Sequence, residues 1–391
     1  MRFVHTADWQ LGKPFGRVGD PQKRSLLQQE RIEAVKRIGR LVQETGAEFV
    51  LVARDLFDSR SADKATVSAA CSAIGQIGVP VVVIPGNHDH GGPGCVWEQE
   101  FFLREQAALA ANMRVLLAAE PVEVGSAVVF PCPLLHRSMV GDPTEWLRSA
   151  GVYAKAAAGK PRIVLAHGST QAFTGAWSDE DGESPDADVI DVDQLPSDQV
   201  DYVALGDWHG TKQVDARAWY AGTPELDRFP KGPDQDPGNV LVVDVERGKL
   251  PVVSKVKTGR LGWHEVSLNL ADDASVNDLE GRMAELLGQR AGEDLLALTL
   301  SGSIGMGAYD RLDKIVESLE ARLLRLKLVD QTALAPSQEE IEELTRSAAN
   351  PLIARVAARL MERAASGGED AGIAQVGLRE LYIASRQEAM R

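Results

Sequence analysis

Polar side chains that can bind metals or move protons stand directly after several short apolar runs. Asp8-Trp9-Gln10 follows the first run, Asp55-Leu56-Phe57-Asp58 the second and Gly86-Asn87-His88-Asp89 the third. Ala166-His167-Gly168 and Gly206-Asp207-Trp208-His209-Gly210 close two later ones. Ligands of α/β sheets gather beyond the carboxyl ends of strands, so loops of this kind converge. Carboxylate, imidazole and amide oxygen donors suit Mn, Mg, Fe or Zn. Two such ions about 3.5–4 Å apart can hold both the attacking and the leaving oxygen of a phosphoryl group. Each piece also has a plainer explanation. An Asp at a strand end is ordinarily a turn or helix cap, a lone His a hydrogen-bonded structural residue, and Gly-Asn a common turn pair. The ordered set is what points to a site.

The elements that must position these residues alternate between strand and helix, which implies an α/β sheet domain. Apolar, β-branched runs at Phe49 to Ala53, Val79 to Pro85, Ala127 to Pro131, Ile163 to Ala166 and Tyr202 to Leu205 read as strands. Ser25 to Glu44 reads as a helix, with Leu26, Ile32, Val35, Ile38, Leu41 and Val42 as its apolar stripe and Gly46 as its stop. Gly238 to Lys257 reads as a hairpin turning at Arg247-Gly248, part of a second sheet. After Gly259 the texture changes: helix over Asp278 to Gly288, strand over Leu295 to Leu300, helix over Tyr309 to Leu326, and a Ser337/Glu340 capping box opening a further helix. Three regions are expected: a main domain over 1–260, a small α+β domain over 261–346, and a helical tail over 347–391 with a break at Ser366-Gly367-Gly368. Leu352, Ile353, Val356 and Leu360 share one face of that tail, suited to internal packing or to a partner helix.

Composition narrows the class. The 391 residues are 44% hydrophobic and 25% charged, ordinary for a globular protein of two or three units. No apolar run approaches the roughly 18 residues a bilayer span needs. Met1 to His5 leads into a strand without a signal-peptide layout, so a cytoplasmic location is expected. Cys71, Cys95 and Cys132 show no paired spacing and read as reduced buried thiols. A formal net charge of −15 argues against a protein that coats DNA unaided, because phosphate contacts need Lys and Arg. It leaves room for a nuclease whose partner supplies the basic groove.

The order Asp8, Asp55, Gly86-Asn87-His88-Asp89, His167, Asp207-Trp208-His209 resembles the calcineurin-like metallophosphoesterase signature. His5 to Gly12, Asp55 to Ser59, Pro85 to His90 and Tyr220 to Glu225 are similar to SbcD-type DNA exonuclease subunits. The resemblance covers roughly residues 1–270 by motif and the small domain by layout alone. It implies a four-layer sandwich, with helices flanking two mixed β-sheets, a capping domain and a helical C-terminal tail. It implies two divalent metals, manganese first and magnesium second. Asp55 would bridge them. Asp8 and His209 would complete one site, Asn87 and His167 would build the other with Asp207 in the remaining position, and Gln10 would be a weak oxygen ligand. His88 would stand beside the leaving oxygen as general acid or charge stabiliser, oriented by Asp89. DNA and a long coiled-coil, SMC-like (SbcC-type) ATPase are the implied partners, with a homodimer as a further assembly and no membrane.

Three positions depart from the pattern. The family usually has Asp-x-His at Asp8-Trp9-Gln10, Gly-His-x-His at Gly206-Asp207-Trp208-His209, and Gly where this chain has Arg54. Oxygen donors at Gln10 and Asp207 harden the site toward Mn and Mg relative to Zn. Arg54 is expected either to pair with Asp207 or to face the substrate phosphate. Lys13, Lys212, Arg228 and Lys231 fall near the motifs as phosphate contacts or plain surface charges, and His5, His90, His136 and His264 read as structural. Ser178 to Asp193 carries eight acidic residues, as a solvated loop or an electrostatic gate near His167. The expected function is metal-dependent phosphodiester hydrolysis at DNA ends. The alternatives are a phosphodiesterase or phosphatase for small molecules, and a weakly catalytic scaffold that docks the ATPase.

Overall fold

A computed structural model of the chain describes residues 1–136, 141–154, 156–170, 189–230, 235–288, 292–345, 351–366 and 370–389. Lys231, the acidic residues from Asp179 to Asp188 and the Gly367-Gly368 break lie outside the described residues. The chain forms two compact units, Met1–Leu261 and Gly262–Arg391.

Two mixed six-stranded sheets make the first unit. The first runs Val252–Lys257, Asn239–Asp244, Arg2–Thr6, Val50–Val52, Val81–Val83, Met113–Val115, with its last four strands parallel. The second runs Lys212–Gln213, Ala218–Tyr220, Tyr202–Gly206, Arg162–His167, Ala127–Cys132, Val122–Val124, with parallel pairings at its centre. The strands alternate their side chains between faces, and both faces are covered. Phe3, Phe49, Leu51, Val82 and Ile84 of the first sheet meet Val129, Ile163, Leu165, Tyr202 and Ala204 of the second in one apolar layer. The other face of the first sheet packs on helices Pro21–Thr45, Lys64–Gly75 and Glu100–Leu109 through Val35, Ile38, Val67, Ile74 and Phe102. Phe130, Val164 and Val203 of the second sheet pack against Leu147 and Tyr153 of short helical turns. This is the expected layered α/β fold.

The first helix begins four residues earlier than its apolar run suggests. Asp20 caps it by accepting from the amides of Gln22 and Lys23, and Pro21 supplies a first-turn φ at no hydrogen-bond cost. Gly46 ends it at φ 65°, as expected. The buried face carries Leu27 and Arg31 beside Ile32, Val35, Ile38 and Leu41, while Leu26 is exposed.

The second unit has a sheet of Gly262–Leu270, Asp294–Ile304 and Arg325–Asp330, all pairings parallel, with helices Ser275–Leu287 and Met306–Arg322 as crossovers. Parallel neighbours need such crossovers, and Leu296, Leu298 and Leu300 on one face of the sheet share one core with Leu279, Leu287, Leu312 and Leu319 of the helices. The helix read as reaching Leu326 stops at Arg322, because the next residues enter the sheet. Ser337 and Glu340 form the capping box: Ser337 N donates to Glu340 Oε2 at 2.9 Å and Glu340 N to Ser337 Oγ at 3.2 Å. Helices Pro351–Ala365 and Ala371–Ala389 belong to this unit, where Ala357, Leu378 and Tyr382 pack with Met306 and Leu344. The tail stripe divides: Ile353 and Leu360 pack into that cluster, whereas Leu352 and Val356 are exposed.

His5, buried between the sheets with Nδ1 2.9 Å from the Tyr202 hydroxyl, gives the first unit an acid sensitivity. Burial lowers its pKa from 6.5 to about 3, so the folded state keeps it neutral while the unfolded chain takes up a proton. Its stabilising contribution is complete above the unfolded pKa and is lost as pH falls toward 3. Urea unfolding of the parent and His5→Gln at pH 6.5 and 5 should show the parent's advantage shrinking by about 2 kcal/mol. A pH-independent gap would show that His5 titrates alike in both states.

Candidate functional site

Backbone hydrogen bonds first zip two strand-end loops together. Asp8 N donates to Arg54 O at 3.1 Å, Gln10 N to Asp55 O at 2.8 Å and Leu11 N to Leu56 O at 2.9 Å. Arg31, buried on the first helix, donates to Trp9 O at 2.7 Å, Asp8 O at 3.0 Å and Glu225 O at 3.2 Å. Its fork thereby ties the first loop to the Thr223–Glu225 segment. Of the six non-glycine residues at positive φ among the described residues, five lie here: Asp8 at 51°, Gln10 at 40°, Arg54 at 111°, Asp55 at 43° and Asp207 at 116°. Such conformations cost about 1–3 kcal/mol each and persist where surrounding structure holds them. The values for Arg54 and Asp207 lie well outside the left-handed region that other residues visit, in territory glycine occupies readily.

Asp8, Asp55 and Asp207 approach one another. Asp207 N lies 3.4 Å from Asp8 Oδ2 and His88 N donates to Asp55 Oδ1 at 3.1 Å. Burial, reinforced by Asp55 and Asp207 and opposed by Arg54, pushes the Asp8 carboxyl well above the usual carboxylate range. Its Oδ1 is buried without a hydrogen-bond partner among the described residues.

Arg54 answers the question its position raised. Its Nε lies 2.6 Å from Asp55 Oδ2 and its Nη1 contacts Asp207 Oδ1. The guanidinium therefore joins carboxylates from the carboxyl ends of both sheets. A second cation lies nearby. Lys13 Nζ donates to Gln10 Oε1 at 3.1 Å, pairs with Asp227 Oδ2 at 3.2 Å and lies 3.8 Å from Asp58 Oδ1. The Gln10 oxygen, expected to face a metal, thus faces an ammonium. Lys13 is buried in the site rather than displayed as a surface charge.

His209 Nδ1 lies 3.1 Å from Asp227 Oδ1, the kind of carboxylate partner that fixes a ring for work at its other nitrogen. Burial lowers the His209 pKa to about 4, so the ring is neutral. Burial would raise Asp227, but Arg228, His209 and Lys13 outweigh it and hold that carboxyl well below its usual range. Burial and then Arg54 depress His167 well below the usual imidazole value. Asp89 has a different job from the one expected. It accepts from Gly86 N at 2.8 Å and Phe57 N at 3.0 Å, shaping the turn, while His88 Nδ1 is held by Asp58 O at 2.9 Å. Burial pushes Asp89 up to about 7, with Asp55 adding to the effect. Asn87 opens the His88 turn and is half-buried. Lys212 lies over the Trp208 ring, 5.2 Å from its centroid, and Arg228 pairs with Asp227 at 3.2 Å.

Residues 1–234 match the family described as calcineurin-like phosphoesterase, well over half of the chain. The chain belongs to that family. Calcineurin-like phosphoesterases hydrolyse phosphoesters with a pair of divalent metal ions. Among solved structures, the crystal structure of the Thermus thermophilus protein TT1561 aligns over 66% of this chain and 98% of its own, with 13% identity and a TM-score of 0.38.

The donor chemistry of this calcineurin-like site suits divalent ions: clustered carboxylates, a neutral imidazole backed by Asp227, and the orphaned Asp8 oxygen. The side-chain arrangement does not suit a metal pair. Arg54 stands between Asp55 and Asp207, and Lys13 holds the Gln10 oxygen. Among the described residues, no three His, Cys, Asp or Glu side chains are grouped to hold one ion.

Sequence reasoning missed Arg31, Asp227 and the burial of Lys13. Arg31 carried a signal, since a cation on the apolar face of a helix must find partners. Glycine tightens the site at two points. A Cβ at Gly206 would lie 1.6 Å from Ala53 O, and one at Gly86 would lie 2.0 Å from both Arg54 Cγ and Asp55 Oδ1. The Gly206 clash is with backbone just beyond the Val50–Val52 strand of the facing sheet, so Gly206→Ala should cost about 3 kcal/mol or more in urea unfolding. A loss under about 1 kcal/mol would mean that the strands part easily there.

Proposed function

We propose that the first unit acts on phosphodiesters at DNA ends, as the nuclease subunit of a complex with a long coiled-coil ATPase. The observation that carries this reading is the convergence of carboxylates and imidazoles at the carboxyl ends of two sheets, within a domain of the phosphoesterase family. The stretches His5 to Gly12, Asp55 to Ser59, Pro85 to His90 and Tyr220 to Glu225 supply the likeness to DNA exonuclease subunits. In this reading Asp8, Asp55, Asn87, His167, Asp207 and His209 line the place of metal and phosphate, with Mn preferred over Mg and Arg54 sharing the carboxylates. His88, its ring fixed by Asp58 O, donates the proton to the leaving oxygen. The partner supplies the positive groove that a chain of net charge −15 lacks. No described helix is long and apolar enough to cross a membrane.

One observation favours the second reading, a weakly catalytic scaffold of the same complex. Arg54 ties up the two carboxylates that a metal would need.

Turnover of end-labelled duplex DNA and of an aryl phosphodiester, each with Mn, Mg and no metal, separates the two. The nuclease reading expects metal-dependent cleavage of DNA that disappears in Asp55→Ala. It expects His88→Ala to lower the rate by about 100-fold at unchanged metal content. Cleavage of the aryl ester alone would point to a small-molecule substrate. No turnover of either substrate with either metal would select the scaffold.

A second expectation concerns the exposed stripe of Leu352 and Val356. Replacing both by Glu should weaken co-purification with the ATPase and leave hydrolysis of the aryl diester unchanged. Undiminished association would place the docking surface elsewhere.

A further inference from the structure

Arg54 is built into the centre rather than laid over it. Its side chain is only 4% exposed. The stem runs against Gly86, where any Cβ would stand 2.0 Å from Arg54 Cγ, and its own Cβ lies 3.1 Å from the Cβ position of Gly206. Two glycines thus leave a lane for this one side chain. At the end of the lane the guanidinium contacts Asp55, from the loop after Val50–Val52, and Asp207, from the loop after Tyr202–Gly206. Joining carboxylates across the two sheets is the task a bridging cation performs. The residue does it from a backbone at φ 111°, where arginine is strained and glycine is not.

We propose that Arg54 is a tethered cation that occupies the Asp55–Asp207 position in place of a divalent metal ion. This rests on the phosphoesterase reading of the site, and its test reads bound metal rather than turnover. A guanidinium cannot lose its proton in a protein, so the position carries positive charge at every working pH. Its planar fork matches carboxylate oxygens and is covalently present at the site, whereas a metal ion must arrive from solution and displace it. Asp8 fits the same picture. Its Oδ1 is buried without a hydrogen-bond partner among the described residues, beside the carboxylates that the guanidinium joins.

The experiment titrates Mn²⁺ into the parent, Arg54→Gly and Arg54→Asn by calorimetry, and counts Mn retained per chain after desalting. Glycine removes the charge and relieves the backbone; asparagine removes the charge and keeps a polar side chain on the same backbone. The expected result is that both variants hold one more Mn²⁺ per chain than the parent. The added site should bind about 100-fold more tightly than any Mn²⁺ binding the parent shows there. Adding Asp207→Asn to Arg54→Gly should remove the extra ion. Circular dichroism of each variant confirms that a folded chain is being titrated. Two tightly held Mn²⁺ ions per parent chain would overturn the proposal without recourse to any variant. Equal stoichiometry and affinity in the parent and in folded variants would overturn it as well.

Discussion

Carboxylates crowded into a buried space need cations, and this requirement organises the first unit. Asp8, Asp55, Asp58, Asp89, Asp207 and Asp227 come together from five segments that are far apart in sequence. Burial alone disfavours each charge. Where a cation is near, the charge survives: Asp227, beside Arg228 and Lys13 and hydrogen-bonded to His209, is held well below the usual range. Where cations are outweighed, proton affinity rises: burial, with Asp55 and Asp207 beside it, pushes Asp8 well above the usual range despite Arg54. Neighbouring carboxylates are thus driven apart in proton affinity by which cation each one reaches.

That electrostatic grouping depends on backbone held in costly shapes. Five non-glycine residues of the site adopt positive φ, which isolated loops would abandon. The loops keep these shapes because they are not isolated. Asp8 and Gln10 amides donate to the carbonyls of Arg54 and Asp55, so each strained loop is the hydrogen-bond partner of another. Arg31 adds a third fastening by reaching from the helix Pro21–Thr45 to carbonyls of Trp9, Asp8 and Glu225. Beneath them lies a layer of fully buried Phe, Leu, Ile and Val side chains, whose packing leaves the strand ends little freedom.

The layered α/β fold and the loops that converge were legible in the sequence, because both rest on local patterns. Apolar runs of strand length fix the sheets, and the polar residues that follow each run mark the loops. The capping box at Ser337 and Glu340 was legible for the same reason. What escaped was the pairing. Lys13 meets Asp227, and Arg31 meets Glu225 O at a separation of 194 residues; neither partner is implied by anything near it in the chain. Asp89 and Asp58 show a subtler limit. Both stand in motifs beside His88, but Asp89 closes a turn while a backbone carbonyl of Asp58 holds the ring. Residue type and spacing marked the neighbourhood, and three-dimensional geometry assigned the hydrogen bonds. Leu26 and Leu27 differ for a simpler reason: a helix that starts at Pro21 is set in phase by the burial of Arg31, a cation that an apolar-stripe reading leaves out.

The choice of cation has consequences beyond charge balance. A centre whose carboxylates are neutralised by free ions has a folded state linked to ion concentration, since binding stabilises only the form that carries the site. A guanidinium on the same chain removes that link, because its concentration at the carboxylates is set by the fold. The strained loops that carry Asp55 and Asp207 are then joined by a cation of the chain itself. The chemistry changes with it. A divalent ion polarises an oxygen and lowers the pKa of bound water, whereas arginine can only donate hydrogen bonds and fixed charge. Its fork pairs with two phosphate oxygens as well as with carboxylates. In the proposed arrangement Arg54 gives this centre fixed charge and hydrogen bonds, and activation of water falls to an ion held by the remaining donors.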